Sequence, residues 1–250
     1  MMNNKIYSLI LLGLLTLSCN NQNKLTEVEI PERESFIIPK KDFPDPATIK
    51  TKQGPFDMPK LSYQFNELPE LFSAEDFYTH YAVVQLDNAN KLNSTIHGTQ
   101  FENLSIEDIV KQANNNDKQI KKLAGIYYNH YLFWQSMTPK STEPSQIVAT
   151  AINTNFGSLN DFKKLLKSKA HELDGAGYVW LVKKGETLAV IATDNNINPM
   201  MPEYQLGKPL LAIDLWEHSY YTKFENSISD YIDTYFKYIN WQRVNDQYNQ

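Results

Sequence analysis

Asp214 and His218 stand four residues apart in the run Lys-Pro-Leu-Leu-Ala-Ile-Asp-Leu-Trp-Glu-His-Ser-Tyr-Tyr, residues 208 to 221, which carries the most specific chemistry in the sequence. Pro209 to Ile213 is apolar and of strand length, so it delivers Asp214 to the end of a buried strand. A carboxylate in that position is costly unless it is paired or bound to a cation. An imidazole four residues on, with aromatics on both sides, makes a metal one candidate for that cation. From the spacing alone, a satisfied core Asp beside an unrelated His fits equally well, because Asp-x-x-x-His is common.

Caps and periodicity predict the elements that must position these residues. Ser73-Ala-Glu-Asp has a capping serine followed by two carboxylates that suit the positive end of a helix dipole. The helix it opens continues towards Leu92, with Phe77, Tyr81, Val84 and Asn88 on one face and His80 beside it. By itself His80 reads as an ordinary core or surface histidine. A short helix is expected from Leu104 to Ala113, capped by Ser105, and a longer one from Ile120 to Trp134 that contains His130. Tyr127, Phe133 and Trp134 fall at helical spacing and read as core. After a break from Thr138 to Pro144 come helices from Ile147 to Phe156, with Gly157 as C-cap, and from Leu159 to Ala170. A strand begins near Gly175, turns at Lys183-Lys-Gly-Glu, and returns from Leu188 to Thr193; with Pro209 to Asp214 this makes three antiparallel strands, and helices occupy Phe224 to Tyr248. The fold class is therefore α+β: an N-terminal antiparallel helical hairpin, then a C-terminal domain with a three-stranded antiparallel sheet surrounded by helices.

The chain has 250 residues, a net charge of -5 and only two arginines, Arg33 and Arg243, which argues against a nucleic-acid partner. Lys5 and the apolar run from Ile6 to Leu17 read as a targeting segment, too short to cross a bilayer as a helix. Cys19 is the single cysteine, so an intramolecular disulfide is excluded. A small residue followed by Cys at the end of such a run looks like a bacterial lipobox, although an ordinary signal peptide with a chance cysteine has the same appearance. Lipidation of Cys19 would place the protein in a bacterial cell envelope, lipid-anchored and extracytoplasmic. The following stretch to Lys60 is polar and punctuated by Pro31, Pro39, Pro44, Pro46, Pro55 and Pro59, the composition of a linker. The expected divisions are 1–18 signal peptide, 19–60 linker, 61–138 helical hairpin and 139–250 α/β domain.

Three stretches together carry a resemblance. Asp-Leu-Trp-Glu-His-Ser-Tyr-Tyr, from Asp214, resembles the D-x-W-E-H-A-Y-Y metal motif of the iron/manganese superoxide dismutases. Phe72 to Tyr81, followed by Gly98-Thr99, is similar to that family's first long helix, and Ile126-Tyr-Tyr-Asn-His-Tyr-Leu-Phe-Trp to its second. Phe156-Gly-Ser-Leu-Asn-Asp-Phe also matches, and the likeness extends over about residues 59 to 247. The resemblance implies one Fe or Mn ion per subunit, held by His80, His130, Asp214 and His218, with superoxide as substrate. Three imidazoles and a carboxylate suit either metal, and on ligand type alone they suit zinc as well. It also implies a homodimer, in which Glu217 and Tyr221 reach across the interface. Asn88, Tyr128, Trp134, Trp180 and Trp216 join these two as expected neighbours of the metal, while His97 and His171 are expected in solvent.

The departures from the family pattern fall where catalysis is tuned. The family's second histidine and gating tyrosine on the first helix align with Val84 and Asn88, and its two alternative glutamine positions with Ile126 and Ile197. Neither isoleucine can donate a hydrogen bond. Glu225 and Ile228 align near the basic residues that attract superoxide. Asn88, Tyr128 and Tyr220 remain as substitute donors. Two functions follow from the resemblance: an Fe/Mn superoxide dismutase with an altered outer sphere, or a catalytically weak or inactive metal-binding homologue.

Overall fold

Ser73, Ser105, Ser145 and Ser158 each accept a hydrogen bond from the backbone N–H three residues on, and each opens a helix. The aspartates three residues after Ser73, Ser105 and Ser158 accept in turn from the serine hydroxyl, at 2.6, 2.7 and 2.7 Å. These reciprocal caps satisfy amides that a helix start otherwise leaves unpaired. A computed structural model describes residues 42–250, and the targeting segment, Cys19 and the chain to Lys41 lie outside the described residues.

The first long helix runs as α1 (Ala74–Tyr78), a π-helical segment (Thr79–Gln85) and α2 (Leu86–Ile96), with helical backbone at both junctions. After α3 (Ile106–Gln112) comes α4 (Lys118–Gln135), which packs against α2 and α3. The rest of the chain is α5 (Gln146–Phe156), α6 (Leu159–His171), β1 (Gly177–Lys184), β2 (Thr187–Asp194), β3 (Lys208–Asp214), α7 (Glu217–Phe224), α8 (Ile228–Phe236) and α9 (Trp241–Tyr248). The sheet order is β2-β1-β3, wholly antiparallel, with β1 in the middle. The turn from β1 to β2 is Gly185-Glu186, and Gly185 takes the left-handed φ of 60° that a tight hairpin needs. Pro209 is tolerated because β3 is an edge strand.

Register places Tyr178 of β1 directly opposite Asp214 of β3. α5, α6 and α9 pack on the sheet, α8 packs on α6 and α7, and α4 packs on β3. Between the helices, Phe77 stacks on Trp134 with centroids 4.8 Å apart, and Phe65, Phe72, Tyr81 and Phe133 surround the pair. The observed α+β architecture is the expected one.

The proline-rich stretch differs from a linker over residues 42–60. Phe56 and Met58 are buried, and Phe43 and Ile49 pack on the core. Asn93 grips Phe56 from both sides, accepting from its N–H at 3.0 Å and donating to its carbonyl at 2.8 Å. The Tyr81 and Tyr127 hydroxyls donate to the carbonyls of Pro59 and Asp57, both at 2.6 Å, and the Gln135 amide donates to Lys60. Prolines prevent regular structure here, and the helices supply the partners that the irregular backbone requires. The packed chain therefore begins well before residue 61.

Candidate metal centre

His80 enters from the π-helical segment, about two turns beyond the Ser73 cap. His130 comes from the middle of α4, Asp214 from the last position of β3, and His218 from the first turn of α7. Four elements distant in sequence thus meet, and one ligand atom from each lies within 4.8 Å of the others. The Nε2 atoms of His80, His130 and His218 stand 3.6, 3.7 and 3.8 Å from the same atom, Asp214 Oδ2. Donors held about 2.0 to 2.2 Å from one ion are roughly 3 to 4 Å apart, so the cluster is close to coordination size.

Hydrogen bonds orient two of the four. The Asp214 Oδ1 atom accepts from the Trp216 backbone N–H at 2.8 Å, which leaves Oδ2 facing the imidazoles. His130 Nδ1 lies 2.8 Å from the carbonyl of Ile126, one helical turn back. A carbonyl can only accept, so Nδ1 carries the proton and Nε2 presents its lone pair. His80 Nδ1 and Nε2 and His130 Nε2 are buried without a hydrogen-bond partner. Buried polar atoms are nearly always paired, and two of these orphans, the Nε2 atoms of His80 and His130, face one carboxylate oxygen, which fits a bound cation.

The electrostatics agree with neutral His80 and His130 beside an ionised carboxylate. Burial holds the His80 pKa well below the usual histidine value, and the neighbouring His218 and His130 push it the same way. Burial lowers His130 also, against the pull of Asp214. Burial raises the Asp214 carboxyl, but its three histidines together outweigh that and its pKa is lowered. Neutral histidines and a carboxylate are the forms that ligate metal.

Aromatic rings enclose the quartet. Trp134 lies edge-on to His80 at 4.7 Å and Phe133 stacks on it at 5.7 Å, while Trp216 stacks near His218 at 5.9 Å. Trp180 donates to Thr193 Oγ1 at 2.9 Å and packs on Tyr178 at 5.3 Å. Asn88 and Tyr128 are engaged elsewhere. The Asn88 amide donates to Val84 of its own helix at 2.9 Å, and the Tyr128 hydroxyl to Glu107 at 2.7 Å. Tyr220 packs on Tyr231, and Glu217 and Tyr221 lie on the exposed side of α7. His97 is exposed and 2.6 Å from Glu102, and His171 is 3.0 Å from Ser229.

Tyr178 was legible in the sequence only as a strand residue. Its hydroxyl is 3.2 Å from Asp214 Oδ2 and 3.3 Å from His130 Nδ1, and its side chain is wholly buried. The signal that could have found it is the pairing register, since counting back from the two strand ends sets it across from Asp214.

Two family models match the chain. The alpha-hairpin domain of the iron/manganese superoxide dismutases matches residues 55–138, and the C-terminal domain of the same enzymes matches residues 144–247.

Proposed function

The chain belongs to the iron/manganese superoxide dismutase family, and on that premise we propose that it converts superoxide to dioxygen and hydrogen peroxide at a site held by His80, His130, Asp214 and His218. The observation that carries this reading is the convergence of three imidazole Nε2 atoms on Asp214 Oδ2, with both His80 nitrogens and His130 Nε2 otherwise unpartnered. Iron or manganese, when bound, supplies the one-electron redox chemistry that oxidises one superoxide and reduces the next. Asp214 offsets part of the ion's charge, and the three histidines bind as neutral donors. Trp134 and Phe133 exclude water from the His80 side, where the imidazole has no other means of satisfying its nitrogens.

A second reading has a specific observation behind it. Ile126 and Ile197 occupy the two positions where the resemblance expects a glutamine, and the amide of Asn88 and the hydroxyl of Tyr128 already have other partners. Outer donors of this kind commonly change affinity or activity by about 10- to 100-fold. A metal-holding homologue with little turnover is therefore the alternative. Protein spanning residues 42–250, assayed for metal content and superoxide consumption on one sample, separates the two. The expected result is about one Fe or Mn per chain, with turnover abolished in His130→Ala. Full metal loading without turnover supports the alternative instead.

The proposal extends to location. Cys19 is lipidated and tethers the enzyme in the bacterial cell envelope, on the extracytoplasmic side. A palmitate analogue fed to cells should label the wild-type chain, and labelling that persists in Cys19→Ala counts against the anchor.

A further inference from the structure

We propose that Tyr178 is a positioning residue for the metal centre, its hydroxyl donating to Asp214 Oδ2 and so fixing that oxygen's direction and moderating its strength as a ligand. The inference rests on the metal-site reading above. Three features of the structure support it.

Proton accounting gives the donor. His130 Nδ1 keeps its hydrogen on the Ile126 carbonyl at 2.8 Å, so Nδ1 has no lone pair to offer the phenol 3.3 Å away. The remaining acceptor in reach is Asp214 Oδ2 at 3.2 Å, and the hydroxyl proton goes there. Tyr178 Oη can at the same time accept a share of the His130 N–H, which links two candidate ligands through one side chain.

The carboxylate then has each oxygen held separately. Oδ1 is fixed by the Trp216 backbone N–H, and Oδ2 receives Tyr178 while facing the three Nε2 atoms. Side chains that hydrogen-bond a ligand orient it and tune its basicity. A donor on the ligating oxygen withdraws negative charge from it, which favours the divalent ion over the trivalent one.

The backbone holds Tyr178 in place independently of any ion. Its strand pairing sets it opposite Asp214 in the central strand, and its ring rests against Trp180 with centroids 5.3 Å apart. Local rearrangement of a loop therefore does not provide this contact; the sheet itself does.

The test compares wild-type protein with Tyr178→Phe, using chelator competition for Mn(II) and Fe(II) and the midpoint potential of the iron-loaded form. Removal of the hydroxyl leaves Oδ2 more basic, which is expected to lower the potential, but it also frees the oxygen's direction, and that loss is expected to weaken divalent binding by about 10- to 100-fold. A monofluorinated tyrosine at 178 keeps the ring and strengthens the donor, and it should raise the potential. Folded Tyr178→Phe with wild-type affinity and potential overturns the proposal, because a purely structural tyrosine changes only the stability. Should Tyr178→Phe fail to fold, an unchanged potential in the fluorinated protein overturns it equally. Wild-type protein that takes up neither metal removes the metal-site reading itself, and this one with it.

Discussion

His80 shows most directly how a ligand site works against the stability of the chain that carries it. Its ring is buried among Trp134, Phe133 and the other histidines, with both nitrogens unpaired. An unsatisfied buried polar group costs about 1 to 3 kcal/mol, so the metal-free protein should gain stability when the group is removed. His80→Leu is expected to melt higher than the wild-type apoprotein while losing metal uptake, and a lower melting point would show that the imidazole has a partner in solution. The same residue sets a pH dependence. The folded pKa values of His80 and His130 are lowered, so as pH falls through about 6.5 the unfolded chain takes up protons that the folded chain refuses. Apoprotein stability is therefore present above that pH and declines below it, at up to about 1.4 kcal/mol per pH unit for each such histidine. His80→Leu should show the shallower slope in a denaturant titration series, and equal slopes would mean that His80 is not held neutral. Asp214 acts with the same sign but only below about pH 4, so it does not confuse the comparison.

The elements differ in how openly the sequence announces them. Helix starts at Ser73 and Ser105 were legible because a serine cap and a carboxylate three residues on interact locally. The four candidate ligands were legible through motif text that keeps its residues adjacent. Tyr178 was not, because its role depends on which strand lies beside it and in what register. The π-helical segment was not either: Thr79 to Gln85 reads as plain helix, because nothing local in its residues marks the widened turn. The segment 42–60 misled most, since its prolines describe the lack of regular structure and say nothing about packing. Its contacts lead to a prediction. Protein beginning at residue 61 exposes the surface that Phe56 and Met58 cover and leaves the Tyr81 and Tyr127 hydroxyls and the Asn93 amide without their backbone partners. Burial of one such apolar side chain contributes roughly 1.5 to 3 kcal/mol. Chemical denaturation should find the chain from 61 less stable than the chain from 42 by several times that order, or unfolded. Equal midpoints would return the segment to the status of a linker.

For the molecule as a whole, the incomplete feature is the outer wall of the site. Asp214, His80 and His130 have side chains exposed by 0, 2 and 3 %, whereas His218 is 35 % exposed. The residues beside it on α7 face outward too: Glu217 is exposed, and Tyr221 is 48 % exposed. A ligand left open to solvent exchanges its metal faster, and an exposed tyrosine beside it offers a surface for a large contact. The family commonly forms homodimers, and a second copy laid over α7 would cover both features in one step. Sedimentation of the chain from residue 42 is therefore expected to give a dimer. Glu217→Lys combined with Tyr221→Asp places charge where the contact is expected and should shift the protein towards monomer. Neither side chain belongs to the ligand quartet, so any accompanying rise in the rate of metal loss to a chelator reports the uncovering of His218. A wild-type monomer that loses its metal no faster and no slower than the double variant would mean that α7 closes the site without help from a partner.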